Sequence, residues 1–303
     1  MKLYALYESL LHTIEEQLTS ENLTASQLSN TLSVSSVHLQ RLFKAAFDTT
    51  LASYIRSRRL AASLEKLHNS DTGIADIAVE YGFDYARSYI RAFKQEFGLT
   101  PGEVRKSKQI IKIKPPLQLF PANKLRSGVL FGPEIVYVPG FSCVGTQHFI
   151  YGDGVEDPAR AAREFWLNHK DKISNIVNPN VYIGLTRFPE EIADYTIYMP
   201  SVGVSALSHV PDGYVGNTVP ACLCARFRYI GQHHYMDINS HIAQDMYNAI
   251  NAFQNDDEKY GLFHHGIFFE RIDTAAYNGK YCMMEWFSPV YEKMMKNVHR
   301  WYW

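Results

Sequence analysis

Apolar residues recur along the first third of the chain at the three-and-four spacing of helices. Leu3, Leu6, Tyr7, Leu10, Leu11, Ile14 and Leu18 make one stripe and predict a helix over 4–18. Ala25, Leu28 and Leu32 make a shorter stripe behind Thr24, a residue type favoured at helix N-caps. After a turn at Ser33-Val34, Leu39, Leu42, Phe43, Ala46 and Phe47 form a third stripe. Val37, Gln40, Arg41 and Lys44 fall on the opposite, polar face. Ile55, Leu60, Leu64 and Leu67 predict a long helix over 51–67, which at the usual rise spans about 25 Å. Thr72-Gly73 ends it, Ile74, Ile77 and Ala78 open another short helix, and Asp84 is the expected N-cap of the helix after that.

Beyond residue 133 the period changes. β-branched and aromatic runs predict strands over 134–149 (broken by Pro139-Gly140), 180–188, 195–204, 220–230, 266–271 and 280–289. Helical spacing returns over 157–176, through Ala161, Ala162, Phe165, Trp166, Ile173 and Ile176, and over 237–253. The order is strand–helix–strand–strand, twice, which favours an α+β sheet with its helices on one face. Ile110 to Pro121 is basic and then broken by Pro115-Pro116 and Pro121, as a linker would be. The expected organisation is a two-domain α+β chain. An all-α domain with two helix-turn-helix motifs covers 1–109, a linker 110–133, and an α+β domain of duplicated strand–helix–strand–strand units 134–303. A chain of 303 residues is too long for one typical core. Trp301-Tyr302-Trp303 is expected to pack on the second domain.

An amphipathic helix with an Arg and a Lys outside is ordinarily a solvated surface helix. Here it occurs twice. Arg41-Leu42-Phe43-Lys44, with Phe47, Thr50, Arg56 and Ser57, recurs as Arg91-Ala92-Phe93-Lys94, with Phe97, Thr100, Lys106 and Ser107. Ser33-Val34 aligns with Gly82-Phe83, and the second turn is one residue longer. Charge supports a functional reading. The whole chain carries −1, but between Ser35 and Lys114 fourteen Lys and Arg face eight Asp and Glu, which leaves −7 for the remainder. A basic nucleic-acid-binding domain joined to an acidic partner domain has this asymmetry.

The motifs now on the page resemble the DNA-binding domain of the AraC/XylS family, closest to its MarA/SoxS/Rob group. The residues that carry the likeness are His38 to Lys44, Tyr54-Ile55-Arg56, Ile74 to Ala78, Tyr81-Gly82-Phe83, Ile90 to Lys94, Phe97-Gly98 and Thr100-Pro101, within 1–114. The domain order, DNA-binding part first, is similar to Rob-like members. The resemblance implies a transcription regulator, an activator, that meets double-stranded promoter DNA and RNA polymerase. Each polar helix face would lie in a major groove, and the long helix would hold the two near the ~34 Å repeat of DNA. Gln40 and Arg41 suit bidentate contacts to adenine and guanine edges, with Arg87, Ser88 and Arg91 as their counterparts. Val37 shares the first face. Lys44, Lys94 and the run Arg56-Ser57-Arg58-Arg59 suit phosphates, which position without specifying. For Arg59 a pairing with Glu65 or another helix carboxylate is the alternative. The family's nearest members carry Trp at Val37 and Gln at Ala86 and Arg87, so their operator does not transfer to this chain.

The second domain resembles the GyrI-like effector-binding domain over about 134–290. The strand–helix order, the Asp212-Gly213-Tyr214 loop before Pro220 and Glu285-Trp286-Phe287-Ser288-Pro289 carry that likeness. It implies an amphipathic or cationic small-molecule effector in a crevice between the two halves, with Glu285 as the acid that meets a cation. Trp166, Tyr182, Tyr198 and Phe268 are the candidate aromatic lining. Met283, Glu285 and Phe287 share a strand face. Two readings of Glu285 stand: a pocket acid, or a structural ion pair with Arg226, Arg228 or Arg271.

Other chemistry is sparse. Cys222 and Cys224 lie on one strand face, as a soft-metal or oxidant site or as buried small residues, with no CxxC and no third thiol nearby in sequence. His233-His234, His241 and His264-His265 lack paired-ligand spacing, and no Walker loop, nucleophile elbow or HExxH motif occurs. No catalytic residue, metal or cofactor is therefore expected. The alternative to a regulator is a small-molecule-sequestering or hydrolytic GyrI-like protein in which DNA binding is secondary. Met1 to Leu18 carries Glu8, Glu15 and Glu16, unlike a signal peptide, and no apolar run approaches the ~20 residues that cross a bilayer. With four cysteines, a cytoplasmic, reduced protein without membrane contact is expected.

Overall fold

The computed structural model describes residues 3–107, 110–119, 123–151, 157–188, 195–254, 260–262, 266–275 and 281–292. The chain separates into two units, Met1–Phe120 and Pro121–Trp303. His264-His265 and Trp301-Tyr302-Trp303 lie outside the described residues.

The first unit is all helical: α1 (Leu3–Glu16), α2 (Ala25–Thr31), α3 (Ser36–Phe47), α4 (Leu51–Asn69), α5 (Ile74–Glu80), α6 (Ala86–Phe97) and α7 (Pro101–Lys106). Its apolar stripes meet in two cores. Tyr7, Leu10, Ile14, Leu28, Leu39, Leu42 and Phe43 are wholly shielded in the first half. Leu60, Leu67, Ile77, Tyr89, Phe93 and Val104 form the core of the second. A tyrosine hydroxyl is satisfied inside each: Tyr7 donates to the Leu42 carbonyl at 2.9 Å, and Tyr89 shares a 2.9 Å bond with Ser63.

The sequence repeat is a structural repeat down to its turns. Ser33 and Gly82 both take positive φ, 55° and 72°. The next residues, Val34 and Phe83, each donate backbone N–H five residues back, to Ser29 and Ala78. Both α3 and α6 end in a left-handed cap, at Asp48 and Gly98. Thr50 and Thr100 then cap the following helices by accepting from Ser53 and Glu103 backbone N–H. Thr24 caps α2 as expected. Asp84 does not cap α6. The one extra residue of the second turn moves the cap position to Tyr85, which makes no side-chain cap bond. Between the motifs runs α4, 19 residues and about 28 Å long.

The second unit is one antiparallel sheet of ten strands among the described residues, with two helices. The strands are β1 (Gly128–Val138), β2 (Phe141–Gly145), β3 (His148–Tyr151), β4 (Val181–Arg187), β5 (Tyr195–Val204), β6 (Val215–Val219), β7 (Cys222–Gly231), β8 (Tyr260–Leu262), β9 (Ile267–Asp273) and β10 (Cys282–Glu292); the helices are α8 (Pro158–Asn168) and α9 (Ser240–Gln254). Strand order is β1-β7-β10-β9-β4-β5-β2-β6. That order reads the same from both ends if β1 exchanges with β6, β7 with β2, β10 with β5 and β9 with β4. The two strand–helix–strand–strand halves therefore meet at the β4–β9 pair. Each leading strand, β1 or β6, crosses to the opposite half.

Three details differ from the sequence expectation. β1 begins at Gly128, inside the segment expected as linker. Helix α8 stops at Asn168, and Ile176 instead bridges to Val204. Strands β6 and β8 are short additions that the periodicity does not mark. Phe165, Trp166, Met246 and Ile250 from the helices pack on Tyr182, Val202, Phe227, Met284 and Trp286 of one sheet face. The other face closes on itself around Cys143, Leu185, Met199, Phe269 and Phe287. Phe141 of β2 reaches Phe269 of β9, three strands away, with centroids 5.2 Å apart, so the sheet curls strongly.

Candidate nucleic-acid interface and ligand cavity

In the first unit, α3 and α6 each bury one stripe and expose the other. On α3, Val37 (60% exposed), Gln40, Arg41 and Lys44 face solvent. On α6, Arg87, Ser88, Arg91 and Lys94 do so. Arg41, Lys44, Arg56, Arg87 and Arg91 form no ion pair among the described residues, which leaves five cations without an internal partner. The Ser88 hydroxyl already donates to the Tyr85 carbonyl at 2.7 Å and has only lone pairs left to offer. A groove of about 1000 Å³ lies between the two motifs and brings together Gln40, Arg56, Arg87, Ser88 and Arg91. Its apolar floor includes Leu51, Ala52, Ile55 and Phe83. Among the groove residues that sequence reasoning did not assign to the interface are Asp84, Gln95 and Tyr85, the last 74% exposed. The extra turn residue that displaces Tyr85 into the cap position is the signal that marks it.

Only Arg56 of the 56–59 run is free to meet phosphate. Arg58 is a bidentate partner of Glu15, through Nε to Oε1 and Nη2 to Oε2, both 2.9 Å. It also holds the Lys114 carbonyl at 3.1 Å, and the Tyr54 hydroxyl accepts from Leu117 N–H at 3.0 Å. The first part of the expected linker is thus fastened to α4. Ser57 donates to Glu96 Oε1 at 2.7 Å. Among the described residues Arg59 pairs with no carboxylate, Glu65 included. It donates to the carbonyls of Leu18 (2.9 Å), Ser20 (2.7 Å) and Gly82 (3.2 Å). One guanidinium fork thereby ties the end of the N-terminal helical region to the turn of the second motif. A β-carbon at Gly82 would come within 2.5 Å of it.

In the second unit a cavity of about 540 Å³ opens between the sheet and both helices, at the junction of the two halves. Trp166, Tyr182, Tyr198 and Phe268 all line it, with Met246, Met284 and Trp286. Glu285 does not. Side chains alternate along β10, so Met284 and Trp286 face the cavity while Glu285 faces the other side. There it accepts from Arg226 Nη1 at 3.3 Å, and Arg226 also holds Glu134 at 2.6 Å. Arg228 reaches the same Glu134 oxygen at 3.3 Å. Of the two readings of Glu285, this geometry is that of the ion pair: the carboxylate meets Arg226 and does not line the cavity.

Two acids line the cavity: Asp157, whose side chain is engaged as the N-cap of α8 by accepting from Ala159 N–H, and Glu270, on β9 two residues from Phe268. Arg163, also in the lining, donates to the Ile238 carbonyl at 2.8 Å. Tyr198 donates its hydroxyl proton to Glu270 Oε1 at 2.8 Å, which leaves Tyr182 to donate to Tyr198 at 2.5 Å. What surface Glu270 keeps faces the cavity, and burial pushes its pKa up to about 7. Burial, with the Glu270 charge adding, also holds both tyrosines well above their usual value, so they stay protonated donors. Gly184, opposite Glu270 in the β4–β9 ladder, makes room for the acid. A β-carbon there would lie 2.1 Å from Oε1 and 2.7 Å from the Tyr198 hydroxyl. The signal for Glu270 was present in the sequence as a carboxylate spaced two from an aromatic in a strand.

No helix among the described residues is long and apolar enough to cross a membrane. No group of three or more His, Cys, Asp and Glu is placed to hold a metal among them.

Comparison with known proteins bears on the first unit. Residues 28–107 match a family model described as a helix-turn-helix domain. The chain is 36% identical over 99 residues to a probable transcription factor, PqrA, of Proteus vulgaris, covering 32% of this chain and 81% of that protein. It is 42% identical over 84 residues to the transcriptional regulator Rob of Salmonella typhimurium, covering 27% of this chain and 29% of Rob. Among solved structures, the C-terminal domain of the response regulator yesN from Fusobacterium nucleatum is similar at 29% identity and a TM-score of 0.31, over 33% of this chain and 96% of that one. The repeated motifs and the extent of the PqrA match place the chain in the AraC/XylS family of helix-turn-helix transcription regulators.

Proposed function

We propose that the protein is a sequence-specific transcription regulator, an activator that works with RNA polymerase, and that a small molecule held in its second unit modulates it. The observation that carries the DNA-binding part is the duplicated, outward-facing set of unpaired cations on α3 and α6. Surface decoration has no reason to recur at equivalent positions of two equivalent motifs. Arg41 and Arg91 read base edges, Gln40, Val37, Arg87 and Ser88 refine the choice, and Lys44, Lys94 and Arg56 neutralise phosphates. Selection of bound duplexes from a random-sequence pool, followed by footprinting, tests this. The expected footprint has two protected major-groove segments about one helical turn apart on one face. Uniform recovery of the pool would contradict it.

The duplicated strand–helix order and the cavity at its junction support the resemblance to GyrI-like effector domains. The occupant is an amphipathic or cationic molecule. Burial against Trp166, Phe268 and Trp286 supplies affinity, and Glu270, rather than Glu285, supplies charge choice. Calorimetric titration with a matched cationic and neutral ligand pair tests it. Glu270→Gln should lose the cation selectively, whereas Glu285→Gln should leave selectivity alone. Equal loss of both ligands in Glu270→Gln would refute the assignment.

A further inference from the structure

Cys222 and Cys224 stand two residues apart on β7 and therefore on one face, with sulfur atoms 3.5 Å apart. Cys222 occupies the last rung of the β1–β7 ladder, opposite Val138, and is only partly buried, while Cys224 is fully buried. Val136, Val138 and Phe141, also only partly buried, frame the same face.

This geometry suits a bridging atom better than a disulfide. Side chains at positions i and i+2 of an extended strand project in parallel, so their β-carbons, like their α-carbons, are about 6.6 Å apart, whereas a disulfide needs β-carbons about 3.5–4.5 Å apart. A centre with bonds of about 2.3 Å to each thiolate holds the two sulfurs about 3.5 Å apart with the strand undisturbed. The ligand count narrows the class further. A structural zinc ion requires about four protein ligands, and among the described residues no third His, Cys, Asp or Glu, Cys143 of the same core cluster included, completes a metal-holding group with this pair. A trivalent arsenical bearing one carbon substituent needs only two.

We propose that Cys222 and Cys224 form a dithiol clamp for monosubstituted trivalent arsenicals, R–As(OH)2. Two As–O bonds break and two As–S bonds form. The two thiol protons leave with the hydroxides as two waters, and no oxidation state changes. The hydrogen bond from Cys224 lowers the Cys222 pKa and favours the attacking thiolate. The substituent lies outward, against Val138 and Phe141. The clamp is independent of the DNA-reading surface and of the Glu270 cavity.

The test uses the reduced full-length chain and phenylarsine oxide, read by native mass spectrometry. One bridged phenylarsenic per chain is expected, removed by 2,3-dimercaptopropanol and retained in excess 2-mercaptoethanol. Cys222→Ser, at a strand end and checked for folding by circular dichroism, should weaken binding by roughly a hundredfold or more through loss of the second thiol. Cys143→Ser and Cys282→Ser should bind like the wild type. Absence of an adduct, an adduct of equal affinity in Cys222→Ser, or ready closure of a Cys222–Cys224 disulfide by diamide in the native protein would each overturn the proposal.

Discussion

Removing the Glu270 charge should make the second unit more stable at neutral and alkaline pH. The carboxyl pKa rises from its ordinary 4.5 to about 7 on folding, mainly because burial disfavours the anion. A group whose folded pKa lies above its unfolded one contributes stability that is fully present below about pH 4.5. That contribution is lost as pH rises through about 7. At about 1.4 kcal/mol per pKa unit the ceiling is about 3 kcal/mol, and water inside the cavity lowers it, so about 1–3 kcal/mol is the expected range. Glu270→Gln keeps an acceptor for Tyr198 and cannot ionise. Its stability relative to wild type should therefore climb by that amount between pH 4.5 and pH 8. All four tryptophans, Trp166, Trp286, Trp301 and Trp303, belong to the second unit, so tryptophan fluorescence in urea follows that unit alone. In the wild type a cationic ligand should bind more tightly as pH approaches 7, because it selects the carboxylate. A stability difference between variant and wild type that does not change with pH would refute the reasoning.

Arg59→Ala removes three carbonyl contacts and should cost the first unit about 2–4 kcal/mol, read by far-ultraviolet dichroism in urea. The salt dependence of DNA binding should stay unchanged, and a drop in salt slope at unchanged stability would return Arg59 to the phosphate contacts. Lys44→Ala should weaken all DNA sequences alike and reduce the salt slope by about one; loss confined to one sequence would make Lys44 a base reader. Gly184→Ala drives a methyl group into the Glu270 carboxylate and should cost about 1–3 kcal/mol. Glu270→Ala in the same chain should recover most of that cost, and independent, additive losses would show that the contact is not the cause.

The helical unit was legible because its signals are local. Stripes at helical spacing, the threonine cap at Thr24, and a repeated turn each depend on residues within a few positions of one another. Asp84 misled because a one-residue insertion shifts a cap without altering the apolar pattern. Arg58 and Arg59 were legible as charges but not as partners, since Glu15 and the Leu18, Ser20 and Gly82 carbonyls come from distant segments. The same limit decided the acid. Glu285 and Glu270 both sit in strands among aromatics, and only the face chosen by each strand separates a cavity acid from an ion pair. That face follows from how β9 and β10 pack under α8 and α9, a non-local outcome. The short strands β6 and β8 were missed because a few residues carry too little alternation to register.

The most direct measurement is the affinity of full-length wild type and the Arg41→Ala/Arg91→Ala double variant for the selected duplex and for a scrambled duplex, at matched salt. Each arginine lost should cost about 1–3 kcal/mol on the selected site. Because the two sit in separate motifs, the losses should add to about 2–6 kcal/mol, with little change on the scrambled duplex beyond the general salt-dependent term. Equal binding of the selected site by the double variant and the wild type would contradict the claim that α3 and α6 read the sequence.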